Sequence, residues 1–408
     1  MPLWNVTDES IRDRAIRTHT KTYSVEPAFV ATSPATFPVV GEQTDYIGGV
    51  VVAAMLHLEV AVAASPRSDN KLQVSVTQPN GSRFKESQMS TTMDAVGQRK
   101  PGGIEQRLGG IVWSLIHRQM LSRDTRGFDI TVVSSIPPFC GLGESEAMAT
   151  AFALGLQFAA DVEIDAPLRA RLAEVCTQAA GTFADTPELR ARHIAALRGH
   201  ANSLAIIDYA DGSVTQAPHP RQLELFVVAQ PKPKGPTELV DEIRRRHSFL
   251  DDAVNAYGVD SLRALPEAPA RVTDWLSAVH KVHGPNNVPT LEEATHWLQF
   301  LSDETKRASE AAAALRSRRM NTVFDILRKS QSEIENTFNL ATETNRALVY
   351  LCESRGALAA RSTAPGVYDA VVAYVDTQRA DNFAADLAED GLLVVPLFAG
   401  KPSEYMGE

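Results

Sequence analysis

Residues 28–64 read AFVATSPATFPVVGEQTDYIGGVVVAAMLHLEVAVAA, two apolar segments separated by a polar one. Apolar residues dominate both of its ends, where residues 28–32 and 37–40 predict strand and the valine- and alanine-rich residues 50–64 predict a buried strand or strand pair. Between them, residues 41–49 combine glycines with polar side chains, a composition typical of a turn. The stretch therefore predicts buried sheet on either side of one polar, glycine-containing loop.

The chain has 408 residues, which is more than one hydrophobic core usually serves, so its size predicts two domains. Its 44% hydrophobic and 22% charged residues are typical of a globular protein. Forty basic residues stand against 50 acidic ones, giving a net charge of −10. This charge opposes binding to nucleic acid or to an anionic membrane surface, so we expect neither as a partner.

Location and metal content follow from three further features of the chain. The apolar residues 50–64 are interrupted by a histidine and a glutamate and are shorter than the ~20 residues of a membrane-spanning helix. The first residues are acidic where a signal peptide needs an apolar core. The cysteines are too few and too scattered for a disulfide framework or a zinc site: Cys140, Cys176 and Cys352. We expect a cytoplasmic protein without a metal site of its own.

Beyond residue 64 the pattern alternates between strands and helices. Residues 79–110 are polar and predict a mobile loop or an edge hairpin, and residues 144–160 predict an alanine-rich helix. Helical patterns dominate residues 237–355, and two strands are predicted at 370–375 and 392–398. Strands and helices therefore contribute to both halves of the chain.

Three motifs suggest a family. Residues 33–49, SPATFPVVGEQTDYIGG, resemble without gaps the galactokinase signature, whose usual form is APGRVNLIGEHTDYNGG. The residues retained include Gly41, Glu42, Thr44, Asp45, Tyr46, Gly48 and Gly49. Residues 136–149, IPPFCGLGESEAMA, resemble the family's phosphate loop, VPxGxGLSSSAALxxA, and residues 361–375, RSTAPGVYDAVVAYV, resemble its third motif, RMTGGGFGGCVVALV. Over about residues 8–398 the chain is thus similar to galactokinases of the GHMP kinase superfamily.

The resemblance implies a fold and a reaction. The fold is an α+β, two-domain GHMP-kinase fold, with an N-terminal mixed β-sheet and helices, a C-terminal α/β sandwich and an active-site cleft between them. Residues 1–205 would hold the sugar-binding motif and the phosphate loop, and residues 206–408 the third motif. The family transfers the γ-phosphoryl group of ATP to the 1-hydroxyl of galactose, so ATP and Mg are the expected cofactors if the chain is active, and there are none otherwise.

The two catalytic positions of the family are substituted here. The family keeps an Arg where this chain has Thr36, and its catalytic Asp lies in a segment like AENEFVGAPTGIMDQLASLLG. That segment aligns without gaps to AAGTFADTPELRARHIAALRG, residues 179–199, and places Arg192 on the Asp position. A guanidinium cannot accept a proton and repels a nearby magnesium ion. A slipped register would instead assign the role to Asp185 or Glu188.

The phosphate loop has also changed. Gly141, Gly143, Glu144 and Ser145 occupy the nucleotide-binding positions, at the start of a helix whose N–H groups would bind a phosphate. Glu144 and Glu146 replace small neutral residues there, and one unit-charge pair at ~4 Å and a dielectric near 20 costs about 4 kcal/mol. We therefore expect impaired ATP binding. Two alternatives remain: these carboxylates hold magnesium, or they simply stabilise the helix start.

In the third motif, Ala364, Pro365 and Gly366 replace three consecutive glycines. Glycine lets the backbone approach a ligand closely because it lacks a Cβ, whereas proline removes an N–H donor. Gly366 is therefore the only one of the three that we retain as a nucleotide-binding residue.

The sugar-binding side is better kept. Glu42 and Asp45 match residues that hydrogen-bond sugar hydroxyls in the family, and Gln43 replaces a histidine but can still donate and accept. Asp241, ahead of the arginines at 244–246, aligns with a sugar-contacting tyrosine. Alternatively, Glu42 and Asp45 cap the turn, and the arginine run is a solvated helix face.

Two functions from different classes follow. The first is a catalytically degenerate galactokinase-like protein that binds a sugar, a polyol, a sugar phosphate or a protein partner. The second is a functional sugar kinase acting on galactose or a related sugar at the 1-hydroxyl, in which Arg192 stabilises the transferred phosphate. The loss of motif residues at several separate positions favours the first.

Overall fold

A computed structural model describes residues 9–80, 83–184, 189–284 and 288–406. Its α-helices are α1 (Ile11–Tyr23), α2 (Met93–Val96), α3 (Ile104–His117), α4 (Glu144–Ala159), α5 (Ala166–Phe183), α6 (Arg190–Arg198), α7 (Val240–Tyr257), α8 (Ala268–His283), α9 (Leu291–Arg316), α10 (Met320–Asn336), α11 (Glu343–Ser354) and α12 (Ala380–Glu389). Its strands are β1 (Phe29–Val40), β2 (Val50–Pro66), β3 (Lys71–Asn80), β4 (Arg83–Thr92), β5 (Phe128–Ser134), β6 (Ser203–Asp208), β7 (Ser213–Pro218), β8 (Leu223–Ala229), β9 (Ala359–Ala364), β10 (Tyr368–Asp376), β11 (Leu393–Leu397) and β12 (Glu404–Met406).

The contacts divide the chain into two compact units. The first contains Met1–Phe37, Ala54–Ser203 and Leu393–Glu408. Its sheet has the order β12-β1-β2-β5-β3-β4, in which β3 and β5 are parallel and the other neighbours for which the register is known are antiparallel. The helices α3, α4, α5 and α6 pack against one another. The first unit therefore places α4, which follows the predicted phosphate loop, in contact with α6, which carries Arg192.

The second unit contains Pro38–Ala53 and Leu204–Leu392. Residues Val50–Ala53 of β2 pair with β6, and β8, β10 and β9 form antiparallel neighbours in a sheet. Around helices α7 to α10 the core is rich in large apolar side chains, and Phe300 stacks on Phe338 with ring centroids 4.0 Å apart. This unit holds the loop between β1 and β2, where the signature lies.

Several element predictions are confirmed, and some are wrong in detail. The predicted strands at 28–32 and 37–40 are one continuous strand, β1, because the intervening residues are also buried. Residues 79–110 contain the edge strand β4, which pairs along its length with β3, as the hairpin alternative predicted. The prediction is wrong for residues 93–96 and 104–110, which belong to helices α2 and α3. Strands β7 and β9 were not predicted, because polar or small side chains hide their alternation. A single domain boundary near residue 205 remains a prediction, since the contact-defined units are discontinuous.

Among the described helices, none is both long and apolar enough to cross a membrane.

Candidate functional site

The signature loop in the second unit is shaped by its own glycine and threonine. Gly41 has a φ of +97°, and a Cβ at this residue would lie 2.3 Å from the carbonyl oxygen of Val50. Thr44 donates from its hydroxyl to the carbonyl oxygens of Gly41, at 3.0 Å, and Val50, at 2.8 Å. These retained motif residues therefore close the turn between β1 and β2, whatever ligand the loop binds.

A carboxylate from α9 holds this loop. Glu304 is 0% exposed, and its Oε1 accepts hydrogen bonds from the backbone N–H groups of Gly41, at 3.0 Å, and Glu42, at 3.4 Å. The hydroxyl of Ser330 donates to the same oxygen at 2.7 Å. Arg307 Nε donates to Oε2, also at 2.7 Å. Glu304 thus connects the signature to two helices of the second unit.

Arg361 of β9 lies between Glu304 and Glu42. It is 2% exposed, and its Nη2 donates to Glu304 Oε1 at 3.1 Å while its Nη1 donates to the carbonyl oxygen of Pro38 at 3.1 Å. Glu42 is buried as well, with its Oε2 3.9 Å from Arg361 Nη1. Burial by itself raises the pKa of Glu304, but Arg361 and Arg307 hold that pKa below its ordinary value. The carboxylates of Glu42 and Glu304 are thus both close to one guanidinium.

The other predicted sugar-binding residues of the signature come directly after Glu42 in the chain. Gln43 has a φ of +57° and precedes the 3-10 helix Thr44–Ile47, and Asp45 is buried within that helix. The ring of Tyr46 stacks on the imidazole of His247, with centroids 3.5 Å apart and planes 17° from parallel. The structure therefore brings Glu42, Gln43 and Asp45 together in one short loop.

Asp241, the remaining predicted sugar-binding residue, lies on the exposed surface of α7. Its side chain is 89% exposed and forms an ion pair with Arg244, 2.6 Å away and one turn along α7. The solvated-face alternative thus describes this pair better than a sugar contact does. Arg246, in contrast, does not belong to a solvated face, because it is buried and lies over the ring of Trp297. Its Nε donates to Glu242 Oε1 at 2.8 Å.

In the first unit, Arg192 and Thr36, the two residues that the sequence comparison aligned with the family's catalytic positions, contact each other. Arg192 is 2% exposed, and its Nη1 donates to the carbonyl oxygens of Thr36 and, at 2.8 Å, Gly141. Gly143 has a φ of +71°, and a Cβ there would lie 2.7 Å from Thr36 Oγ1. The structure therefore joins Arg192, Thr36 and the phosphate-loop glycines into one buried cluster.

The two glutamates at the start of α4 have partners inside the protein. Glu146 is buried and pairs through Oε1 with Arg107 Nη1 at 3.2 Å. Burial alone raises the pKa of Glu146, but Arg107, together with His193 and Arg192, holds it below its ordinary value. Glu144 Oε2 accepts a hydrogen bond from Gln78 Nε2 at 2.8 Å, and burial raises the pKa of Glu144. The expectation that both carboxylates oppose a triphosphate therefore needs correction, because an internal guanidinium already balances one charge and burial disfavours the other.

The same helix start allows a test of whether ATP and magnesium fit. Gly143 is the N-cap of α4 and no side chain caps this end, so the geometry suits a phosphate group at the backbone N–H groups. Magnesium fits less well, because Glu146 is committed to Arg107. Within the described ranges, no group of three or more His, Cys, Asp or Glu side chains could hold a metal ion.

The third motif forms a tight turn between β9 and β10. The N–H of Val367 donates to the carbonyl oxygen of Ala364 at 3.0 Å, and Pro365 followed by Gly366 at a φ of +72° fits a type II turn. Thr237 Oγ1 donates to the carbonyl oxygen of Gly366 at 2.8 Å. The turn itself therefore accounts for the glycine at 366.

Sequence reasoning missed the charged residues that hold these loops: Arg107, Glu304, Arg307 and Arg361. One signal was available for Glu304, because it falls on the apolar stripe of α9 between Leu301 and Ala308, where a carboxylate needs a buried partner. Arg361 opens the third motif, but spacing alone does not show what it contacts. Asp185 and Glu188, the alternative catalytic residues, lie outside the described residues.

Two family models match the chain. The model of the galactokinase galactose-binding signature matches residues 17–66, and the model of the GHMP kinase N-terminal domain matches residues 109–188. The first range contains the loop held by Glu304, and the second contains α4 with its phosphate loop.

Bacterial galactokinases are similar to this chain over most of its length. A galactokinase from Roseiflexus sp. (strain RS-1) is 24% identical over 373 residues, covering 90% of this chain and 88% of the relative. A galactokinase from Mycobacterium tuberculosis (strain ATCC 25618 / H37Rv) is 25% identical over 353 residues, covering 86% and 90%. Galactokinases are thus matched nearly from end to end, although at low identity.

Solved structures show the fold. Lactococcus lactis galactokinase, crystallised with galactose, superposes with a TM-score of 0.76 at 16% identity, covering 97% of this chain and 100% of that one. Methanococcus jannaschii mevalonate kinase superposes with a TM-score of 0.59 at 11% identity, covering 91% and 98%. The mixed sheets and helices of the chain are therefore those of the GHMP-kinase fold.

Proposed function

The chain belongs to the GHMP kinase family and carries the galactokinase-type signature, and on that premise we propose that it is a sugar-binding homologue that no longer phosphorylates galactose. The observation that carries this proposal is the position of Arg192, whose guanidinium is buried and donates to two backbone carbonyl oxygens. A residue in that state joins two loops and is not a base for an acceptor hydroxyl.

The expected loss of rate has two parts. General-base assistance is worth about 10² to 10⁴, and a guanidinium cannot supply it because it stays protonated. A donor that stabilises developing phosphoryl charge is worth a further 10² or more. At that position Thr36 presents a buried hydroxyl in place of the family's arginine. Galactose phosphorylation should therefore be hard to separate from background.

The sugar-binding side supports a ligand of the galactose class. Glu42, Gln43 and Asp45 lie together in a loop whose backbone is hydrogen-bonded by Glu304. Carboxylates and amides of this kind suit the several hydroxyl groups of a sugar or sugar phosphate. The galactose bound to the Lactococcus lactis relative supports the same class. A protein partner is the alternative ligand of a degenerate homologue.

One observation favours the alternative function, an ATP-dependent kinase that phosphorylates galactose or a related sugar at the 1-hydroxyl. Arg107 neutralises Glu146, and the N-terminus of α4 has no side-chain cap, so the phosphate loop is less hostile to a nucleotide than its sequence indicates. ATP and magnesium would then be its cofactors. A cytoplasmic location, argued above from the short apolar stretch and the acidic first residues, belongs to both proposals.

Calorimetry and a turnover assay separate the two. For the degenerate homologue we expect galactose to bind and no galactose 1-phosphate to form. ATP with magnesium should bind more weakly than millimolar, because Pro365 lacks an N–H donor and Glu146 is committed to Arg107 instead of to a metal ion. A micromolar dissociation constant for ATP with magnesium, or turnover at the about 1 to 100 per second of ordinary kinases, would make the kinase the correct function. An Asp45→Asn variant is the control for galactose binding, because it replaces a predicted sugar contact at nearly constant volume.

A further inference from the structure

Glu304 lies far from the signature in sequence, and neither matched family range, 17–66 or 109–188, contains it. It is nevertheless fully buried, and its Oε1 receives two consecutive backbone N–H groups of the signature, those of Gly41 and Glu42. Two successive amides directed at one carboxylate oxygen fix the orientation of the peptide between them. The backbone immediately before Gln43 and Asp45 is thereby set from α9.

The loop has little freedom to replace this contact. Gly41 has a φ of +97°, and the position of a Cβ on it is 2.3 Å from Val50, so the backbone passes very close to the start of β2. Without the carboxylate, two buried amides would lack their acceptor, which costs free energy unless the loop moves. The loop is therefore expected to rearrange when Glu304 is removed.

Charge adds a second constraint. Glu304 pairs with Arg361 at 3.1 Å and with Arg307 at 2.7 Å, while Glu42 lies 3.9 Å from Arg361. If Glu304 lost its charge, Arg361 would still have the carboxylate of Glu42 within 3.9 Å. Attraction in a buried environment is strong, so Glu42 would be drawn toward Arg361 and out of its place in the loop.

We propose that Glu304 is a positioning residue for sugar binding: it holds the amides of Gly41 and Glu42 and balances Arg361, and so keeps Glu42 where a galactose-class sugar requires it. The inference rests on the proposed sugar-binding function. It adds a residue that does not itself touch the sugar.

The test compares Glu304→Gln with Asp303→Asn in the full-length protein. Glutamine keeps an oxygen acceptor but loses the charge, so it weakens the charge-assisted hydrogen bonds from the amides of Gly41 and Glu42 and leaves Arg361 unbalanced. Asp303 is a partly exposed neighbour on α9 that pairs with Lys306 at 2.9 Å. Amide hydrogen exchange of a peptide covering residues 38–49 should be about tenfold faster or more in Glu304→Gln and unchanged in Asp303→Asn. Galactose affinity, measured by calorimetry, should fall about tenfold or more in Glu304→Gln only.

A double variant provides a readout that general destabilisation would not give. Glu304→Gln combined with Arg361→Gln removes both charges, so part of the lost galactose affinity should return even though the fold has lost an ion pair. Unchanged exchange in Glu304→Gln overturns the inference, and so does faster exchange with unchanged galactose affinity. If the unmodified protein binds no galactose, the proposed function fails, while the exchange comparison still decides whether Glu304 positions the loop.

Discussion

Replacing Arg192 with aspartate, the residue type that galactokinases keep at this position, should destabilise the protein and not restore phosphoryl transfer. Arg192 is buried, and its guanidinium donates to the carbonyl oxygens of Thr36 and Gly141. Aspartate is shorter and, when ionised, can only accept hydrogen bonds. Both carbonyls would lose their donor, and the new carboxylate would add negative charge near Glu146, whose pKa Arg192 helps to lower.

The magnitude follows from these contacts. A hydrogen bond from a charged donor contributes about 1.5 to 3 kcal/mol, and leaving a buried charge without its partner costs about 3 to 5 kcal/mol. The two figures describe overlapping losses, so we expect the free energy of unfolding to fall by about 3 to 5 kcal/mol. That is a large share of the ~5 to 15 kcal/mol that stabilises a typical protein. Arg192→Met removes the same hydrogen bonds without adding a charge and should cost less.

Urea unfolding followed by circular dichroism measures the loss, with Arg171→Asp as a control because Arg171 is exposed on α5. The control should change the free energy of unfolding by no more than about 0.5 kcal/mol. The same samples are assayed for galactose 1-phosphate. Adding Thr36→Arg should not rescue turnover, because Thr36 is 1% exposed and its Oγ1 lies 2.7 Å from the Cβ position of Gly143. An Arg192→Asp protein as stable as the unmodified one, or one that turns over galactose, would refute the reasoning.

Three shorter predictions test other parts of the chain. Gly366→Ala should cost about 1 to 2 kcal/mol more in urea unfolding than Gly212→Ala, since both residues have a φ near +70° but only at 366 would the Cβ contact side chains, at 3.0 Å. Asp241→Ala should leave galactose affinity from calorimetry unchanged, because its ion pair is on the surface. Burial lowers the pKa of His193 from 6.5 to about 4, so the stability that its neutral form contributes is full above pH 6.5 and is lost as the pH falls toward 4. Between pH 7 and 5, the free energy of unfolding measured in urea should therefore fall by about 2 kcal/mol less in His193→Gln than in the unmodified protein.

The sequence correctly predicted the strands around the signature loop and the glycine turns of the signature loop and the phosphate loop. The period-two and apolar runs around residues 28–64 gave β1 and β2, and the glycines at 41 and 143 were correctly placed in turns, since φ values of +97° and +71° favour glycine. The gapless register that set Arg192 against the family's catalytic position is consistent with its contact to Thr36. Local pattern and motif spacing carry this kind of information because they report on neighbours along the chain.

The partners of buried charges could not be predicted in the same way. Glu146 and Arg107 are 39 residues apart, and Glu304 and Arg361 are 57 apart, so no local period connects them. The sequence showed two bare carboxylates at the start of α4, whereas the structure shows one paired with a guanidinium and one hydrogen-bonded to Gln78. For Asp241, alignment to a sugar-contacting position could not show that its side chain is 89% exposed and paired with Arg244, and its sugar contact remains a prediction.

The guanidinium of Arg192 has hydrogen-bond acceptors inside the protein, and this favours a structural role for the residue over a catalytic one. A guanidinium introduced into a buried position without acceptors would cost several kcal/mol. Arg192 instead donates to two carbonyl oxygens, one of them from Thr36, the other substituted position, while Glu146 contributes opposite charge nearby. Both of these hydrogen bonds end on backbone carbonyls, so they require the arginine and not the threonine side chain. A group held by two carbonyls would have to break those bonds to reach a phosphate, and for that reason Arg192 supports a structural role better than a new catalytic one.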